Sequence, residues 1–354
     1  MSRFFSEKYA SLTPYTPGEQ PQERRYLKLN TNESPFPPSP LAQRLARQEA
    51  GDLQLYSDPT CGSLTAVAAE KLGLTRDEIL FTNGSDEILN FAFMAFCDKT
   101  HPAVFPDITY GFYPVFADLN GVPYETIPLK EDFSVRVADY QEIGKTVFIA
   151  NPNAPTGIAL SRDEIESIVA SNPDSVVVVD EAYVDFGAES VLPLIRKYEN
   201  LLVCQTFSKS RSLAGGRLGF GAGDPALIRD LNTVKYSTNP YNINRMTMAA
   251  GIGALSDTAY FNENCRRIIA TRTRAAAALK DLGFTMTDSS ANFLFARHPQ
   301  IGGLELYQTL KERGVLIRHF ETGRLKDYNR ITVGSDEQMD ELIAAITAIL
   351  EERT

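Results

Sequence analysis

The chain has 354 residues, 43% hydrophobic and 23% charged, which exceeds a usual single domain and supplies a core without covalent staples. Its formal charge of −10 argues against a nucleic-acid partner, and no stretch reaches the roughly 18 apolar residues that span a bilayer. The four cysteines are scattered and the three histidines lack a metal-binding spacing, so free thiols in a reducing cytoplasm are expected, with no metal, no signal peptide and no membrane.

Residues 1–40 are proline-rich and read as an extended arm lying on the rest of the chain. Helices are predicted at 41–49 and 62–72. Residues 85–97, SDEILNFAFMAFC, form a helix apolar enough to be buried almost all round. Strand-like runs near 102–105, 123–127, 146–150, 176–180, 201–205 and 217–221 then alternate with helical segments around 111–120, 161–171 and 190–198. This alternation predicts an α/β fold with a mostly parallel sheet covered on both faces, a three-layer αβα domain. After 224 come helical stretches at 224–236 and 241–281. A smaller α+β region comes next, with strands near 292–296, 315–318 and 330–333 and an amphipathic helix at 336–352. The expected organisation is a large domain at 41–256, a small one at 257–354, and the 1–40 arm joined to the small one.

Chemistry concentrates in five stretches. In LLVCQTFSKSRSLAGGRLGFG, from Leu201 to Gly221, Lys209 sits in a loop between two apolar runs, with hydroxyls at Thr206 and Ser208 and a cation at Arg217. A desolvated lysine loses its proton and can form a Schiff base with an aldehyde; a solvated loop lysine is the other reading. Asp180 closes VVVVD, the most apolar strand, where a lone carboxylate needs a cationic partner such as a pyridinium nitrogen, or else caps a helix. Tyr183 lies three residues on. Gly84 and Ser85 open the apolar helix, and an N-terminus of that kind suits a phosphate. Tyr110, in DITYGFY, could stack on a flat ring, and NPNAPTG at 151–157 forms a stiff proline loop at a strand end.

Together these segments resemble the fold type I pyridoxal-phosphate enzymes over nearly the whole chain. The match is to the histidinol-phosphate aminotransferase family, through LTPYTPGEQP, KLNTNESP, LYSDP, NGSDEIL, TYGFYPVF, NPNAPTG, VVVDEAYVDF, TFSKSRSLAGGRLGF and NRITVG in order. The resemblance implies a pyridoxal 5'-phosphate cofactor held covalently by Lys209. It makes Asp180 the partner of the ring nitrogen, Tyr183 a donor to the ring's phenolic oxygen and Tyr110 the stacking ring. Gly84, Ser85, Thr206, Ser208 and Arg217 would cradle the phosphate. Tyr56 would reach the neighbouring subunit's cofactor in a homodimer with shared sites. Arg330 would grip the substrate's anionic end, with Arg318, Tyr15 and Asn32 also in the substrate pocket. The family often places Asn where this chain has Ala154; Asn153 or Asn151 takes over, or Tyr183 works alone. The implied reaction is transamination between L-histidinol phosphate and 2-oxoglutarate. An aromatic amino acid donor and a threonine-phosphate decarboxylase are the alternatives.

Overall fold

The computed structural model describes residues 2–353. The arm contributes one short strand, β1 (Leu27–Lys28). The strands β2 (Ile79–Thr82), β3 (Ala103–Pro106), β4 (Tyr124–Ile127), β5 (Thr146–Ala150), β6 (Val177–Asp180), β7 (Leu201–Thr206) and β8 (Gly219–Gly223) form one sheet. Their order is β2-β8-β7-β6-β5-β3-β4, parallel except that β8 runs against both its neighbours. The run Val177–Val179 is fully buried at the middle of this sheet. Side chains alternate faces along a strand, so a strand covered on both sides must be apolar throughout. Val177 and Val179 pack with Ile165 and Ile168 on one face, while Val178 packs with Ile88, Phe93 and Phe148 on the other.

The layers come from α1 (Pro40–Glu49), α2 (Gly62–Leu72), α3 (Ser85–Phe96), α4 (Phe112–Asn120), α5 (Arg162–Ser171), α6 (Pro225–Thr238) and α7 (Arg245–Ser256). The long α8 (Thr258–Asp281) leads to β9 (Thr285–Met286), β10 (Phe293–Arg297), α9 (Gly303–Glu312), β11 (Val315–Leu316), β12 (Arg318–His319), β13 (Asn329–Thr332) and α10 (Asp336–Glu351). Here β12-β13-β10-β9 make an antiparallel sheet with its own core, which includes Leu29 of the arm. β1 pairs in parallel with β11, Leu27 opposite Val315.

Several elements differ from the reading of the sequence. The helix expected at 190–198 is only a 3-10 turn, Leu192–Arg196, with Pro193 at its start. The stretch 241–281 is divided at Asp257, which ends α7 and whose side chain caps α8 by accepting from the Tyr260 N–H. The strand expected at 315–318 splits between two sheets. α3 is not buried all round, since Met94 is exposed. β1, β2, β9 and α9 have no counterpart in the sequence reading, and β1 and β9 are only two residues each. Among the described residues no helix is long and apolar enough to cross a membrane, and all four cysteines are free and buried.

Candidate active site

The parallel strands β5, β6 and β7 end together. Ala150 lies opposite Asp180, and Asp180 opposite Cys204. β8 returns from the same edge, with Gly219 opposite both Thr206 and Thr82. Ligands of such sheets bind beyond the strands' carboxyl ends. A cavity of about 620 Å³ opens there, lined among others by Ser85, Tyr110, Asp180, Tyr183, Thr206, Ser208, Lys209 and Arg217. A wider one of about 1320 Å³ adjoins it through Tyr110, Ala154, Tyr183 and Lys209, and adds Tyr15, Asn32, Arg318 and Arg330.

Asp180 is buried and makes no ion pair among the described residues; its carboxylate accepts from Tyr113 Oη at 3.2 Å and from the Ala182 N–H at 3.2 Å. Burial pushes this carboxyl up to about 7 against those two hydrogen bonds. Lys209 donates from Nζ to the Thr31 carbonyl at 3.1 Å, and burial, then Arg330, brings its amine down to about 8. The floor of the cavity therefore holds a carboxyl short of a cation and an amine inclined to lose its proton.

The N-terminus of α3 is pressed against the start of β8. A Cβ on Gly219 would lie 2.5 Å from the Ser85 nitrogen, and one on Gly84, where φ is +78°, would lie 2.5 Å from Arg217 Nη2. These two glycines let unpaired helix N–H groups, the Thr206 and Ser208 hydroxyls and the Arg217 guanidinium converge. Asp86 ties this corner together by accepting from Arg217 at 2.9 Å and from Tyr110 Oη at 2.6 Å.

At the other end, Arg318 and Arg330 stand directly opposite each other on β12 and β13. Directly opposed residues share a face, and like charges there repel. Arg330 donates from Nη2 to the Asn30 carbonyl at 3.2 Å, while its buried Nε has no hydrogen-bond partner among the described residues. Arg318 donates to the carbonyls of Thr16 and Pro17, each at 3.2 Å. Tyr15 stacks on Phe112 at 4.2 Å beside this pair.

Four expected residues sit differently. Asn153 does not line the cavity: its amide accepts from Thr109 Oγ1 at 2.8 Å and donates to the Ile108 carbonyl at 3.0 Å, so it braces its own loop. Asn151 is likewise spent on the backbone of Leu160, and both X-Pro bonds of this loop are cis. Neither replaces the side chain missing at Ala154. Asn32 lines the wider cavity, yet its side chain bonds to Tyr183 and Thr332. Tyr56 is 81% exposed, stacked on Tyr241 at 4.6 Å and outside both cavities of its own chain.

The sequence reading misses Tyr113 and the bracing role of Asp86. Tyr113 lies in the first turn of α4 among Phe112, Phe116 and Ala117, a pattern that reads as core.

The model of the aminotransferase class I and II family matches residues 24–346. Histidinol-phosphate aminotransferase 1 of Bordetella parapertussis is 50% identical over 353 residues, covering 99% of both chains. The chain belongs to the histidinol-phosphate aminotransferase family. The family's fold recurs in the solved histidinol-phosphate aminotransferase of Sinorhizobium meliloti in complex with pyridoxal-5'-phosphate, 24% identical with a TM-score of 0.88 over 100% of this chain and 99% of that one. It recurs also in the L-threonine-O-3-phosphate decarboxylase of Porphyromonas gingivalis, 22% identical, TM-score 0.81, covering 92% and 99%. Fold alone therefore does not separate these two chemistries; membership of the family rests on sequence identity.

Proposed function

We propose that this chain is a pyridoxal 5'-phosphate-dependent transaminase that moves the amino group of L-histidinol phosphate to 2-oxoglutarate. The observation that carries the reading is the pairing of Lys209 and Asp180 in one cavity with the opposed arginines 318 and 330 in the next. The residues fit the cofactor. Asp180 is a buried carboxyl without a cation, Lys209 is a buried amine of lowered basicity, and the glycine-lined corner gathers donors for a phosphate. Lys209 would hold it, Asp180 would face its ring nitrogen, and Tyr183 and Tyr110 would contact its ring. Ser85, Thr206, Ser208 and Arg217 would take its phosphate.

When bound, the cofactor supplies an aldehyde that captures amines and a protonated ring that withdraws electrons. The protein's own groups do the rest. Lys209, whose amine is brought down to about 8, would take the proton from the substrate's Cα and, as the conjugate acid, hold it beside the cofactor's aldehyde carbon. Asp180, ionised, would supply the counter-charge that favours a proton on the ring nitrogen. Arg318 and Arg330 offer a fork for an anionic end, phosphate of the donor or carboxylate of the acceptor, in alternating half-reactions. Tyr15, Thr16, Pro17 and Gly18 of the arm line that end.

The working unit is a homodimer in which Tyr56 serves the partner's site, with residues 41–256 carrying the cofactor, and 257–354 together with the arm of 1–40 closing over it. The test is a half-reaction: holoenzyme is mixed with histidinol phosphate, phenylalanine or phosphothreonine while the cofactor spectrum is monitored. Histidinol phosphate is expected to give the amine form. Silence with it and conversion by phenylalanine would overturn the substrate, and carbon dioxide release without a keto acid would favour the decarboxylase.

A further inference from the structure

Three consecutive carbonyls of the arm each take a donor from a different part of the site. Asn30 accepts from Arg330 at 3.2 Å, Thr31 from Lys209 at 3.1 Å and Asn32 from Asn292 Nδ2 at 3.0 Å. Asn32 goes further, because its side chain is also engaged at both ends. It is buried, 1% exposed, and holds φ at +55°, a left-handed conformation that Asn tolerates better than most residues.

Thr332 Oγ1 accepts the Asn32 backbone N–H at 2.9 Å. Its own proton then goes to Asn32 Oδ1 at 3.1 Å. That contact turns the amide oxygen toward Thr332 and the NH2 toward Tyr183 Oη, 3.0 Å away. An NH2 group only donates. The Tyr183 oxygen therefore accepts from Asn32, and its single proton is left for the cavity.

We infer that Asn32, its amide fixed by Thr332, is a positioning residue that sets the donor direction of the Tyr183 hydroxyl. The inference rests on the reading of Lys209 and Tyr183 as groups that face the cofactor. It gives Thr332, a residue of the small sheet, a hand in the chemistry of a turn beyond β6. Ala154 sharpens the dependence, since Asn151 and Asn153 are both spent elsewhere and Tyr183 is left as the donor on that side. The charged groups around the Tyr183 hydroxyl are Lys209, 5.8 Å from its ring centroid, and Arg330, Asp180 and Asp86.

Two substitutions reverse the direction by different routes. Asn32→Asp presents an acceptor on both sides and draws the Tyr183 proton out of the cavity. Thr332→Val adds no charge; it releases the amide, which can then turn its oxygen to Tyr183. Thr332→Ser keeps the hydroxyl and the direction.

The experiment titrates the absorbance of the lysine-linked cofactor in the full-length holoenzyme across neutral pH. Losing a donor from the cavity disfavours the more anionic, deprotonated form. Asn32→Asp and Thr332→Val are therefore expected to raise the apparent pKa by about one unit, and Thr332→Ser to leave it in place. Asn32→Asp should add nothing further in a Tyr183→Phe background, because the two act through one hydroxyl. A full shift persisting in that background would mean that charge alone moves the titration, and would overturn the inference. So would an unmoved titration in Thr332→Val, which decides the matter by itself if Asn32→Asp does not fold. A wild-type protein that shows no such absorbance on soaking with pyridoxal phosphate would instead sink the cofactor reading.

Discussion

Burial lifts the Asp180 carboxyl to about 7, and the hydrogen bonds from Tyr113 and Ala182 offset only part of that rise. A raised value means that the folded chain binds this proton more tightly than the unfolded chain. The group's stabilising contribution is thus full below the ordinary carboxylate value and is lost as pH rises through about 7. In cofactor-free protein at pH 8 an ionised carboxylate is buried without a cation. Asp180→Asn is expected to raise cofactor-free stability there by about 1–3 kcal/mol, with a smaller gain near pH 5, as read by urea unfolding. The same substitution should cost at least roughly a hundredfold in turnover, because the ring nitrogen loses its counter-charge. An equal gain at both pH values would count against this account. Tyr113→Phe removes one donor to the carboxylate. It should lower kcat/KM about tenfold and move the acid limb of its pH profile upward, the worth of a hydrogen bond to a charged group. Lys209 and Asp180 stand out in the sequence because charged residues beside apolar strands need a reason, whereas Arg330 is singled out only through the family resemblance. Tyr113 does not stand out, since a tyrosine in an apolar helix reads as core, and the Thr31 carbonyl leaves no trace in a side-chain code. Asn153 is misread because an Asn in a turn looks the same whether it faces a ligand or its own loop.

Two glycines at one junction should respond differently to the same added methyl. On Gly84 the clash is with Arg217 Nη2, the far end of a flexible side chain, although φ of +78° adds strain of about 1 kcal/mol. On Gly219 it is with backbone, the Ser85 nitrogen at 2.5 Å and the Gly84 carbonyl carbon at 2.7 Å, so α3 itself must lift off β8. Gly84→Ala is expected to fold and to bind pyridoxal phosphate at least about tenfold more weakly, by displacing one charged donor. Gly219→Ala should lose both cofactor retention and several degrees of Tm; equal Tm values for the two variants would refute the distinction. Continuous apolar strand runs such as β5, β6 and β7, and most of the helices around them, are legible from sequence. The misses share a cause. Val315–Leu316 pairs with the arm while Arg318–His319, one residue on, pairs with β13, and a partner near the opposite end of the chain has no local signature. The break at Asp257 needs only one non-helical residue, whose side chain also caps α8.

At the scale of the whole molecule, the loop from Leu53 to Tyr56 stands out from the rest of the surface. Leu53, Leu55 and Tyr56 are more than half exposed, and Tyr241 beneath Tyr56 is 44% exposed. The loop is nonetheless tied down: Ser57 Oγ donates to the Ile243 carbonyl at 2.6 Å, and the buried Lys235 donates to the Pro59 carbonyl at 2.6 Å. An ordered apolar patch left bare in one chain is the usual mark of an interface. If a second copy covers it and takes Tyr56 into its own site, each site draws on both chains, and complementation is a consequence of the symmetry. Lys209→Ala and Tyr56→Ala homodimers should each be severely impaired. Unfolded together in equal amounts and refolded, half the dimers would be mixed, and each mixed dimer would hold one site with Lys209 and Tyr56 both intact. Activity should then recover to about a quarter of wild type. If Tyr56 instead serves only its own chain, the mixed dimer rebuilds no site beyond those already in the parents, and mixing recovers nothing.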